Sequence, residues 1–124
     1  MQNNKKLEIS AIMKIPKGKL KEFKELAAET IRVTHERDTG TLKYDIFISS
    51  DKTESVVIEE YKNSKAVLEH MVNLNETLKN AFIDFPIDHL NIYGDPSPEL
   101  LDALKRFDIR VYSFSQGLEE KLEA

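Results

Sequence analysis

The chain has 124 residues, no cysteine and a formal net charge of −4, with 40% apolar and 32% charged residues. That length sits within the range of one domain, the composition excludes a disordered chain, and the missing thiols exclude disulfides, thiolate metal sites and a cysteine nucleophile. Lys and Arg are interleaved among Asp and Glu, so no concentrated positive field is offered to nucleic acid.

The first six residues are polar and lack the apolar run of a signal peptide, and no later stretch is long enough to span a bilayer, so a cytoplasmic protein without a membrane partner is expected. Lys5, Lys6, Lys14, Lys17, Lys19 and Lys21 make the N-terminal part locally basic. Such a run reads as a solvated loop and helix face, with an anionic ligand as the alternative.

Leu7, Ile9, Ala11 and Met13 alternate with Glu8, Ser10 and Ile12, a period of two that predicts a largely buried strand ended by Pro16 and Gly18. From Lys19 to about Arg37, the residues Leu20, Phe23, Ala27, Ile31 and Thr34 recur at helical spacing and predict an amphipathic helix with one core-facing stripe. Asp38, Thr39 and Gly40 break it, glycine tolerating the left-handed conformation common beyond a helix end. In the second strand Leu42, Tyr44, Ile46 and Ile48 share one face and Lys43, Asp45 and Phe47 the other. The polar segment from Ser49 to Ser55 reads as a hairpin connection, and Val56 to Tyr61 as the returning strand.

Ser64 is the expected cap of a second helix, with Val67, Met71, Leu74, Leu78, Phe82 and Phe85 as its stripe and Asn73 and Asn75 as points of interruption. Pro86 ends that helix, and Leu90, Ile92 and Tyr93 fit a fourth strand. The order is strand, helix, strand, strand, helix, strand. It predicts an α+β fold, a ferredoxin-like βαββαβ antiparallel sheet with both helices on one face. The other face, assigned Phe47 and Val57, needs a cover, and a homodimer is the simplest one.

Beyond Gly94 an extension follows. Ser97 and Pro98 form a helix start, Leu100, Leu101 and Leu104 give that helix an apolar side, Ile109 to Phe114 has strand character, and Gly117 to Ala124 reads as a helical tail. Residues 1–124 are therefore read as one domain, with a core over about 7–94 and a helix-strand extension over about 95–124 that docks on that core or on a partner.

His70 lies about 60° from Val67 on a helical wheel and so flanks the apolar stripe, where an imidazole at a pocket edge is placed to accept a proton; a purely structural hydrogen bond to the sheet is the alternative. Tyr44 and Tyr61 sit on neighbouring strands and offer rings and hydroxyls to a small aromatic or apolar molecule, though buried structural tyrosines are common. Glu59 and Glu60, being adjacent, point to opposite faces, so only one of them enters a pocket. His35 and Glu36 read as residues of a helix end, and His89 beside Asp88 as a surface residue. The three histidines have no metal-ligand spacing, and no phosphate loop or serine-nucleophile signature is present, so neither a metal nor a cofactor is expected.

The segment from Asp38 through Gly40 and Leu42 to Tyr44 and Asp45 resembles the glycine, small apolar residue and tyrosine that open the second strand in the antibiotic biosynthesis monooxygenase (ABM) family. Glu59, Glu60 and Tyr61, followed by the stretch from Ala66 to Met71 with His70, resemble that family's acidic-aromatic strand end and histidine-bearing helix. The resemblance covers roughly Leu7 to Tyr93. It implies a dimeric α/β barrel and, as activity, a cofactor-independent monooxygenase acting on a small quinol or phenol, with His70 catalytic and Tyr61 and Tyr44 lining the substrate. A non-catalytic binding protein and an isomerase with His70 as proton shuttle are the alternatives. Tyr61 stands where many relatives carry tryptophan, which argues against haem degradation.

Overall fold

The computed structural model describes residues 6–79 and 81–118. The chain runs β1 (Leu7–Lys14), α1 (Leu20–Arg37), β2 (Thr41–Ile48), β3 (Glu54–Tyr61), α2 (Ser64–Leu78), α3 (Ala81–Asp84), β4 (Ile87–Tyr93), α4 (Pro98–Ala103) and β5 (Ile109–Tyr112). Strands are ordered β2-β3-β1-β4-β5. The first four pair antiparallel, in the expected ferredoxin-like arrangement, and β5 adds to β4 in parallel, so the complete sheet is mixed. The parallel direction is a consequence of α4, which returns the chain to the start of the sheet edge before β5 begins.

Cross-strand register decides which side chains share a face. Tyr44 opposes Glu59, Glu59 opposes Ile9 and Ile9 opposes Ile92, a row across four strands on the helix-covered side. Ile46, Val57, Ala11 and Leu90 form the next row on that side. Val57 therefore faces the helices, only 4% exposed, and does not belong to the open face as the alternation in β3 suggested. Phe47 does: it lies in line with Val56, Ile12 and His89 and is 56% exposed. Leu42 is also outside, because an extra residue bulges between Thr41 and Lys43 and shifts the alternation there.

In α1 the buried stripe is Phe23, Thr30, Val33 and Thr34, with Leu26 and Ala27 packed beside it, whereas Ile31 lies on the solvent side. The apolar character of Ile31 drew the expected stripe too far round the helix. Asn63 rather than Ser64 caps α2, its side chain accepting the Ala66 N–H at 3.0 Å. Ser64 instead accepts the Ser97 N–H and ties the extension down. Neither Asn73 nor Asn75 interrupts α2, and Phe82 belongs to the separate short α3. Asn73 is held by a side-chain partner outside its own helix, so it does not compete with the helical backbone.

The extension docks on the same core. Ser97 caps α4 by accepting the Leu100 N–H at 3.1 Å, with Pro98 at the first helical position, and Leu100 and Leu104 join the buried cluster of the sheet. The strand expected as far as Phe114 stops at Tyr112, and residues 117 and 118 are not helical; the rest of the expected tail lies outside the described residues. Among the described residues no helix is long and apolar enough to cross a membrane.

Candidate active site

Residues 38–41 clamp the end of α1 and the start of β2 onto α2. Asp38 ends α1 in an extended conformation, its N–H still bonded to the Thr34 carbonyl, and this turns its carboxylate toward α2. Thr39 donates from its backbone N–H and its hydroxyl to Glu69. Gly40 is required for closeness: a Cβ at this position would lie 2.5 Å from the Cβ of Ala66. Its conformation is not left-handed, so packing and not backbone freedom explains the glycine.

The clamp brings Asp38 to His70. The Asp38 Oδ2 lies 2.6 Å from His70 Nδ1, and the two side chains are 1% and 9% exposed. Asp38 also accepts from the Asn73 side-chain N–H at 2.8 Å and from the Thr41 hydroxyl. A carboxylate holding this set of donors fixes Nδ1 as the hydrogen-bearing nitrogen and leaves Nε2 as the basic one. The imidazole is wedged between Tyr44 and Tyr61, with ring centroids 5.1 and 5.5 Å away.

Glu59 completes the cluster, one step along the sheet from Tyr44. The Tyr61 hydroxyl donates to its carboxyl oxygen. Burial pushes the Glu59 carboxyl above the ordinary carboxylate range, against a downward pull from His70, because a charged carboxylate is poorly solvated here. Burial, and then the neighbouring Glu59, likewise raise both Tyr44 and Tyr61, so both phenols stay neutral hydrogen-bonding groups.

His70, Tyr44, Tyr61 and Glu59 line one end of a cavity of about 580 Å³, with Asp38 behind His70. The sheet supplies its floor through Ile9, Ala11 and Ile46, helices α1 and α2 its walls, and Leu104 and Phe107 of the extension part of its far side. A mostly apolar cavity with a few convergent polar groups is the usual form of a small-molecule site. Chemically it offers a base backed by a carboxylate, a buried carboxyl whose ionisation is disfavoured, and two phenol rings. Among the described residues no group of three or more His, Asp or Glu side chains gathers as metal ligands.

The three expected site residues, His70, Tyr44 and Tyr61, thus meet around one space. Sequence reading missed Asp38 and took it only for a helix-ending residue; 32 positions separate it from His70, and no local pattern joins them. It left Glu59 and Glu60 unresolved. Glu59 enters the cavity and Glu60 faces out beside Lys6, an assignment readable from the shared face of Val57, Glu59 and Tyr61 once register is known. His35 is exposed in the last turn of α1. His89 lies on the open face, half-buried with its side chain 17% exposed and 2.8 Å from Asp88.

The family model described as antibiotic biosynthesis monooxygenase matches residues 8–73. No curated protein matches the chain. Among solved structures, MupZ from Pseudomonas fluorescens is similar over 93% of this chain and 94% of its own, at 24% identity and a TM-score of 0.79. A conserved protein from Methanosarcina mazei Go1 is similar over 74% of this chain and 94% of its own, at 20% identity and a TM-score of 0.63. Rv0793 from Mycobacterium tuberculosis covers 74% of this chain and 96% of its own, at 18% identity and a TM-score of 0.64. At these identities the likenesses concern the fold. At 93% of this chain, the likeness to MupZ takes in part of the extension.

Proposed function

The chain belongs to the antibiotic biosynthesis monooxygenase family, and from that premise we propose that it is a cofactor-independent monooxygenase of a small aromatic quinol or phenol, acting as a cytoplasmic homodimer. The observation that carries this reading is the buried Asp38–His70 pair opening into an apolar cavity between two tyrosine rings. His70 Nε2 accepts the phenolic proton while Asp38 stabilises the imidazolium, and Tyr44 and Tyr61 orient the ring. The resulting anion is electron-rich and reduces dioxygen directly. For an anthrone-like substrate, one oxygen atom enters as a carbonyl replacing a CH₂ group and the other leaves as water, so the substrate supplies all four electrons. The partner subunit covers the open sheet face that carries Phe47, Tyr93 and Tyr112.

A second reading is favoured by Glu59. A carboxyl whose ionisation is disfavoured by burial, in the same cavity as a base, suits an isomerase: His70 removes a proton beside a carbonyl while Glu59, when it carries its proton, donates to the carbonyl oxygen. The test is oxygen uptake by purified protein with reduced naphthoquinols and anthrones, compared with autoxidation and with His70→Ala. Uptake above autoxidation that falls at least tenfold in the variant, about 1.4 kcal/mol of barrier, supports the oxygenase. Conversion without uptake, accompanied by deuterium entering from solvent, supports the isomerase. Binding with neither would leave a carrier of small molecules.

A further inference from the structure

The chemistry of the cavity is gathered at one end, but two further ionic side chains border it. Lys79 follows the last turn of α2, and Arg106 lies between α4 and β5; both are among its lining residues and both are exposed to solvent. Lys79 is nine positions beyond His70 on the same helix, which places it about 13 Å farther along the axis at 1.5 Å per residue. Arg106 belongs to that same far end. Its guanidinium lies over the ring of Phe107 at 4.7 Å, and Phe107 packs edge-on against Phe82 of α3, which directly follows α2.

Charge is distributed unevenly along this space. Among the described residues the only lining carboxyl is Glu59, at the His70 end, and neither Lys79 nor Arg106 is in an ion pair. Between the two ends the lining is mostly apolar, from Val67, Leu74, Leu78, Leu90 and Leu104, with Asn75 as a polar side chain on α2. The space therefore matches a molecule with a reacting ring or carbonyl at one end, an apolar body, and a negative group at the other.

We propose that the physiological ligand of this cavity is an amphiphilic anion, with a carboxylate or similar group held by Lys79 and Arg106 at the end of the cavity away from His70. This rests on reading the cavity as the substrate site, and it makes the extension a specificity element as well as a cover. Guanidinium suits the task, since its planar fork donates two parallel hydrogen bonds to a carboxylate while its face stays on Phe107. An ammonium on the facing helix adds charge without fixing orientation.

The test needs no turnover. The neutral fluorophore N-phenyl-1-naphthylamine is bound to the full-length protein and displaced by ω-phenylalkanoates of increasing chain length and by their methyl esters. The expected result is an acid that competes at least tenfold better than its ester, about 1.4 kcal/mol, at one intermediate chain length. That preference disappears in Arg106→Gln/Lys79→Gln, while the esters bind the variant as they bind the wild type, and it shrinks with added salt in the wild type. Equal competition by acid and ester, an acid preference that survives in the double variant, or no displacement by any acid would overturn the proposal. Because the probes do not react with dioxygen, a negative oxygen-uptake result would leave this inference standing, and a failure here would leave the oxygenase reading standing.

Discussion

Two histidine–aspartate pairs sit on opposite faces of the same sheet at nearly the same separation, 2.6 Å for His70–Asp38 and 2.8 Å for His89–Asp88. The resemblance ends there. Asp38 is 1% exposed and accepts from Asn73 and Thr41 as well as from His70, whereas the Asp88 side chain is 45% exposed. Asp88 is held below the ordinary carboxylate range chiefly by its hydrogen bond to His89, but solvent screens that interaction. A hydrogen bond of given length thus says little about what a pair does. Surroundings decide whether it is an exposed contact or a fixed tautomer with one basic nitrogen turned to a cavity.

Removing a partner from each pair is the most direct way to break the comparison. Asp38→Ala leaves His70 and Asn73 with unmet hydrogen bonds in a buried place and should lower stability by about 3 kcal/mol, read as a shift of the urea midpoint at unchanged slope. A loss no larger than that of a typical surface substitution would show that the buried pair is not structurally integrated.

Gly40→Ala tests the clamp that brings Asp38 to His70. The added methyl would meet Ala66, so a loss of about 2 kcal/mol is expected by the same measurement, with partial recovery in Gly40→Ala/Ala66→Gly. Strict additivity of the two changes would mean that they do not share the contact.

Glu59→Gln sharpens the comparison through pH. The folded-state value of Glu59 is raised above its ordinary 4.5, so on raising pH the unfolded chain loses this proton first. Wild-type stability should therefore fall, relative to the variant, as pH climbs from about 4.5 toward the raised folded value, by roughly 1 kcal/mol per unit. Parallel stability profiles for the two proteins across pH 4 to 8 would mean that Glu59 ionises in the fold as it does in water. Asp88→Asn should give the smallest effect, an unchanged urea midpoint and unchanged oxygen uptake, and a measurable loss of either would make the exposed pair more than a surface contact.

Much of the fold was legible in residue order. The alternation of β1, the helical spacing of α1 and α2, and the serine and proline that start α4 are local patterns, and these elements start within a few residues of their expected places, although α2 ends at Leu78 and α3 takes up the stretch before Pro86. Errors gathered where a neighbouring element sets the outcome. Pairing with β1 fixes the face of Val57, a bulge turns Leu42 outward, and packing on the sheet selects Thr30 and Val33 over Ile31. Of the site, His70, Tyr44 and Tyr61 were reachable through residue type and periodicity. Asp38 was not, because it meets His70 from 32 positions away in the chain, and the choice of Glu59 over Glu60 needed the strand register.

Composition and periodicity by themselves determined that this chain folds as an α+β unit with helices on one face of its sheet, since a strand of period two and a helix of period 3.6 each have one apolar side to bury. They also placed one histidine at the edge of an apolar helix stripe. Only the tertiary structure decided what that histidine faces. Strand register set Glu59 and Tyr44 side by side, the close approach at Gly40 carried Asp38 to His70, and the docked extension added Leu104 and Phe107 to the cavity lining. Those are long-range contacts, and residue order specifies them only through the packing of the whole.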